Sequence, residues 1–124
     1  MPSAAEGSTA ARRAAYAAMT TALPDISVYP SWPSVANPPC VIVGLGAHDQ
    51  ASACLWEVDL NLTCVAPGGD NDGALTALEE LTDRVTVVAR DLYGRVDRDP
   101  PVQNVIGGTT HLTVLVRSTV PVTL

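Results

Sequence analysis

Polar and apolar residues alternate most regularly between Cys54 and Val65. The even positions are Cys54, Trp56, Val58, Leu60, Leu62 and Cys64. The odd ones include Glu57, Asp59, Asn61 and Thr63. A repeat of two places successive side chains on opposite faces of a strand. The spacing therefore predicts a long strand with an apolar face on a core and a polar face carrying two acids and no base. A repeat of three and four takes over from Asp72 to Tyr93, where Leu75, Leu78, Leu81, Val85, Val88 and Leu92 form one stripe. That is an amphipathic helix, with Glu79, Glu80, Asp83, Arg84 and Arg90 off the stripe. Asp70 to Asp72 supply caps suited to the positive end of its dipole, and Gly94 ends it.

The remaining segments fill in around these two. Ser3 to Leu23 reads as an Ala-rich helix. Ser3 and Glu6 form its capping box, Tyr16, Met19 and Leu23 share one side, and Pro24 stops it. Ile26 to Tyr29 is a short strand. Four prolines, Pro30, Pro33, Pro38 and Pro39, then stiffen a loop that displays Trp32. Cys40 to Leu45 is an apolar buried strand, closed by Gly44 and Gly46, and Ala47 to Ala53 reads as a loop. Arg95 to Pro101 is a charged loop. Val102 to Ile106 and Thr109 to Val120 flank Gly107-Gly108 as a hairpin. The order α-β-β-β-α-β-β predicts a single domain over 1–124. Its class is α+β, a mostly antiparallel sheet with two helices packed on one face.

Composition narrows the function. The chain has 124 residues, 47% of them apolar and only 16% charged. That supplies one core and argues against a disordered chain. No apolar run approaches the roughly 18 residues of a membrane span, so no membrane is expected among the partners. Thirteen acids against seven bases, all of them Arg, give a net charge of −6. Nucleic-acid gripping uses clustered bases on phosphates, so specific DNA binding is not expected. Cys40, Cys54 and Cys64 form no CxxC pair and match no zinc spacing. They read as buried thiols in a reducing compartment, and the first segment carries no secretion-signal pattern.

Candidate chemistry is sparse. Gly44-Leu45-Gly46 lacks the third glycine of a dinucleotide fingerprint. Asp70-Asn71-Asp72-Gly73 resembles part of a calcium loop, but a helix begins where the later ligands would stand. His48 and His111 have no Ser or Cys elbow motif beside them. On one strand face Glu57 and Asp59 lie about 7 Å apart with no sign of a pocket. No catalytic residue, cofactor or metal is expected, and the chain does not read as an enzyme. The features that stand out belong to contact surfaces: Trp32 on its proline loop, the Ala-faced first helix, and the loop Arg95-Val96-Asp97-Arg98-Asp99.

This layout resembles the tail terminator proteins of long-tailed phages, especially those of actinobacterial hosts. The resemblance runs through the first helix ending at Leu23-Pro24 and the segment Ile26-Ser27-Val28-Tyr29-Pro30. It continues through Asn37-Pro38-Pro39-Cys40-Val41-Ile42-Val43, the strand Trp56-Glu57-Val58-Asp59-Leu60, the Asp72 to Tyr93 helix and the closing hairpin. It implies a structural virion protein, assembled in the host cytoplasm. Six copies would form a ring on the head-proximal end of the tail tube, stop tube polymerisation and dock to the neck connector protein. The implied partners are further copies of the chain, the tail tube protein, the connector, and genome DNA passing through the lumen without specific binding. Glu57, Asp59, Asp97 and Asp99 would line the bore, and Trp32, Pro33, Pro38, Arg95 and Arg98 would meet neighbouring subunits. The alternatives are another head-tail connector or tail completion protein of the neck, or a small cytoplasmic ligand-binding domain with Trp32 and the Gly44–Gly46 segment around a pocket.

Overall fold

The computed structural model describes residues 4–52, 55–68 and 72–123. The chain is an α+β fold, its described residues forming two helices over a six-stranded, mostly antiparallel sheet. Helix α1 spans Ala4–Ala22 and α2 spans Asp72–Tyr93. The strands are β1 Ser27–Tyr29, β2 Cys40–Ser52, β3 Leu55–Val65, β4 Asp97–Arg98, β5 Val102–Ile106 and β6 Thr109–Thr123. The sheet runs β1-β2-β3-β6-β4, with β5 also on the outer side of β6. Among the described residues only the β1–β2 pairing is parallel. Ser3, Cys54, Asp70 and Asn71, which enter the capping, thiol and calcium-loop readings, lie outside the described residues.

The two-residue repeat of β3 does what its pattern predicts. Val58, Leu60, Leu62 and Cys64 are buried on the helix side with Val41, Val43, Val114 and Val116. Met19 of α1 and Leu23 just after it close over them, and Leu78, Leu81 and Val85 of α2 do the same. The centre line of α2 differs from the predicted stripe. Ala74, Thr82, Thr86 and Ala89 face inward with the leucines, while Leu75 and Leu92 reach the surface. Small residues let the helix sit close to the sheet, and the larger ones move to its flanks. The inward threonines stay satisfied, because Thr82 Oγ1 donates to the Leu78 carbonyl and Thr86 Oγ1 to that of Thr82, each at 2.7 Å.

Two segments depart from expectation. The stretch expected to be a loop after Gly46 continues β2 to Ser52, with register shifts between Leu45 and His48 and between Gln50 and Ser52. Glycines weaken a strand without ending it when a neighbour supplies the ladder, and β3 supplies it here. The charged loop contains β4, whose Asp97 and Arg98 stand opposite Arg117 and Val116. No helix among the described residues is long and apolar enough to cross a membrane.

The other sheet face carries a second, smaller core. Ala36, Cys40, Ile42, Val65 and Ile106 are buried together there, with Tyr29 against them. The proline loop folds over this cluster. Arg12 Nη1 donates to the Pro30 carbonyl at 2.6 Å, and the Asn37 amide donates to Tyr29 Oη at 3.0 Å. The Pro38–Pro39 bond is cis. The β5–β6 turn holds the loop from the far side. Gly107 has φ +59°, and a Cβ on it would meet the Ser34 carbonyl oxygen and the Val35 backbone. Gly108 has φ +80° but open space around it. Gly107→Ala therefore loses about 1–3 kcal/mol, more than the roughly 1 kcal/mol of Gly108→Ala, in paired denaturant titrations.

Candidate functional site

Because β3 alternates, Glu57, Asp59, Asn61 and Thr63 share the sheet face turned away from the helices. Register carries this face across the neighbouring strands. Thr119 stands opposite Asp59, Arg117 opposite Asn61, and Leu115 opposite Thr63. Asp97 stands opposite Arg117 in turn. The Asp99 amide donates to the Leu115 carbonyl at 2.9 Å, which carries Asp99 onto the same face. The structure thus gathers Glu57, Asp59, Asp97 and Asp99, from two distant stretches of sequence, on one side of one sheet. In β2, Asp49 occupies the register position opposite Glu57.

Arg117 sits among these acids. Its Nη2 lies 2.9 Å from Asp99 Oδ1, an ion pair between half-exposed groups. Asp59 Oδ1 accepts from Thr119 Oγ1 at 3.1 Å. Glu57 and Asp97 are exposed; Arg95 Nε approaches Asp97 only to 3.8 Å. The face therefore keeps an excess of negative charge, four acids against the two bases Arg117 and Arg95, neither of which the β3 pattern alone shows. Arg117 was legible only as the odd member of a weakly alternating β6.

The residues expected at subunit contacts divide into two groups. Trp32 is 54% exposed and overhangs the acid-bearing face. With Ile42, Gly44, Asn61, Thr63 and Leu115 it lines a hollow of ≈ 240 Å³. Pro33 and Pro38 are half-buried in the same loop. Arg98 belongs to the opposite face, where its Nη1 is 2.6 Å from Asp83 Oδ1 on α2. Arg95 is exposed at the start of the β4 segment, and its carbonyl accepts from Ser118 Oγ at 3.1 Å. Arg98 thus ties α2 to β4, while Arg84 ties α2 to the turn after α1 by holding both oxygens of Asp25, at 2.7 and 3.0 Å. That guanidinium keeps the Asp25 carboxyl below its ordinary range.

Sequence reasoning missed the shape of the acid-bearing face. Thr63 and Leu115 also floor a second hollow of ≈ 320 Å³, walled by Asp99, Pro100, Val102 and Asn104. The two hollows together make a shallow trough across the strands. The buried Oδ1 of Asn61 and Nε1 of Trp56 have no hydrogen-bond partner among the described residues. The Ala-faced first helix does pack near α2. Ala17, Ala18 and Ala22 line an open groove of ≈ 490 Å³ with Val88 and Leu92. Among the described residues no group of His, Cys, Asp and Glu is placed to hold a metal. No protein-family model and no curated protein matches this sequence.

Cys40 and Cys64 are free and buried, on opposite faces of the sheet. Burial pushes the Cys64 thiol up to about 12 and that of Cys40 to about 11, from an ordinary 9.0. Neither is a thiolate nucleophile at neutral pH. The folded chain keeps these protons at pH values where the unfolded chain has lost them. Their contribution to stability is thus complete below pH 9 and disappears as pH rises through about 11 to 12. Denaturant midpoints measured from pH 8 to 11 should fall above pH 9, and the fall should shrink in Cys40→Ala/Cys64→Ala. At pH 8 a thiol reagent should label Cys40 and Cys64 only as fast as the chain unfolds.

Proposed function

We propose that this chain is a structural subunit that assembles into a ring. The ring caps the head-proximal end of a phage tail tube, halts its growth and docks to the neck connector, while DNA passes through the lumen. The observation that carries this reading is the acid-bearing sheet face. Glu57 and Asp59 converge there on β3 with Asp97 on β4, and Asp99, just past β4, is held beside them by its amide bond to Leu115. A bore lined this way repels phosphates, so DNA moves past it without sticking. The long strands present the charge at fixed positions, as a pore wall requires. The net charge of −6 points the same way.

A 124-residue chain buries only about two thirds of its unfolded surface. Contacts around a closed ring add the burial that a single protomer lacks. The exposed apolar residues Trp32, Val35, Val102 and Val105 are available for such contacts or for the tube and connector. The role is one of position and charge, with no chemical step. A connector or tail completion protein of the neck would share these features, and it differs in which ring it contacts.

One observation favours a second reading, a small ligand-binding domain. Trp32 and Gly44 do line a common hollow together with Asn61, whose buried Oδ1 has no hydrogen-bond partner among the described residues. The Gly44–Gly46 segment expected as a loop is instead part of β2, and Gly46 does not line that hollow. A polymerisation assay separates the two readings. Tail tube protein encoded beside this chain is allowed to polymerise with and without it, and tube lengths are read by electron microscopy. The ring reading predicts shorter tubes with added density at one end. Unchanged tube lengths, with density at neither end, would contradict it. Adding Glu57→Arg/Asp59→Arg should leave capping intact and make DNA retention by the ring appear, weakening steeply with salt.

A further inference from the structure

The six-stranded sheet narrows to three strands at one level, and both of its sides become bare there. On one side β1 covers β2 only at Cys40, Val41 and Ile42. On the other, β5 covers β6 up to Thr113, the Asp99 amide reaches Leu115, and β4 covers Val116 and Arg117. Among the described residues, β2, β3 and β6 continue alone beyond that level to Ser52, Leu55 and Thr123. Register places the two open edges side by side in height. Leu45 of β2 and Ser118 of β6 both stand opposite Leu60, and His48 and Val120 both stand opposite Val58.

We propose that these two edges join between copies, β6 of one protomer pairing with β2 of the next, so that the three-stranded ladders close into one continuous barrel around the bore. This rests on the ring reading and adds how the ring is closed. An edge strand presents unpaired backbone donors and acceptors that template another strand. Here the two edges are different surfaces at the same height. A rotation about an axis running broadly along the strands brings one to the other, which is a heterologous contact that closes into a ring. Pairing β2 with β2, or β6 with β6, would instead give a two-fold dimer and leave the other edge bare.

Strand direction follows from the count. β2 and β6 are each antiparallel to β3, so they run the same way. With three strands per protomer, rotational symmetry makes every junction parallel. The backbone groups involved can be named. The Leu115 carbonyl points outward, since it accepts from Asp99. Alternation turns Thr119 and Pro121 outward too. Thr119 offers a donor and an acceptor, and Pro121 an acceptor alone. The β2 register shifts after Leu45 and Gln50 bend that edge and limit regular pairing to Val43–Leu45 and His48–Gln50.

Barrel geometry then relates copy number to bore. Strands about 4.8 Å apart and tilted near 40° give a backbone diameter of about 36 Å for eighteen strands and about 24 Å for twelve. Side chains reaching about 5 Å inward leave about 26 Å or about 14 Å. Six copies of this ladder pass duplex DNA, and four do not. The same closure turns one face of every ladder to the bore, and the acid-bearing face becomes the wall.

Hydrogen–deuterium exchange read by mass spectrometry tests the junction on the full chain. Assembled and dissociated protein are compared, with the variants Thr119→Pro and Thr119→Val. Thr119→Pro removes the outward amide and the hydroxyl, whereas Thr119→Val removes only the hydroxyl bonded to Asp59. The expected result on assembly is at least tenfold slower exchange over 43–50 and, within 117–121, at the Thr119 amide. Thr119→Val assembles like the parent, while Thr119→Pro keeps the protomer's exchange pattern and loses the ring. Rings in which both segments exchange as fast as in free protomers would overturn the barrel and leave the ring reading standing. A chain that stays a single protomer at every concentration would overturn both. If Thr119→Pro does not fold, the exchange comparison on the parent chain decides alone.

Discussion

Backbone pairing along β3 is the constraint on which the other elements depend. Every residue from Leu55 to Val65 stands opposite one of β6, and β2 runs along its other side. One pleat decides both faces at once. Leu60 and Leu62 cannot turn to the helices without Asp59 and Asn61 turning away from them. A one-residue slip would bury the acids and expose the leucines. The same pairing that builds the helix-side core therefore builds the charged face, and neither can be altered without the other.

The helices and loops are fastened to that ladder by a few specific contacts. Arg84 with Asp25 links α2 to the end of α1, and Arg98 with Asp83 links α2 to β4. These are half-exposed pairs that fix orientation more than they stabilise. Apolar burial of Met19, Leu23, Leu78 and Val85 supplies the larger part of the stability. On the far face the proline loop is held by the Arg12 and Tyr29 bonds and by close packing at Gly107. That arrangement keeps Trp32 above the sheet and exposed.

Much of this was legible in the residues because local pattern and tertiary environment agree. The strict alternation of β3 and the Gly107-Gly108 turn each have one reading, and the structure follows it; the three-and-four spacing of α2 gives the helix, though its inward line is shifted from the leucine stripe. The continuation of β2 was not legible. Gly44 and Gly46 look like a strand's end, and what overrides them is the ladder supplied by the next strand, β3. The burial of Thr82 and Thr86 escaped for a similar reason, since a threonine that bonds its own helix behaves as an apolar residue. The acids of the candidate site could be named singly from sequence. Their gathering on one face with Arg117 depends on β4, a two-residue strand that exists only because β6 is beside it.

The central claim is that this ladder works as one segment of a closed wall. Native mass spectrometry across a concentration series tests it most directly. The account predicts a discrete species of six copies that grows with concentration, with few open intermediates between it and the protomer. A mass that remains that of one protomer throughout, or stops at two, would contradict it.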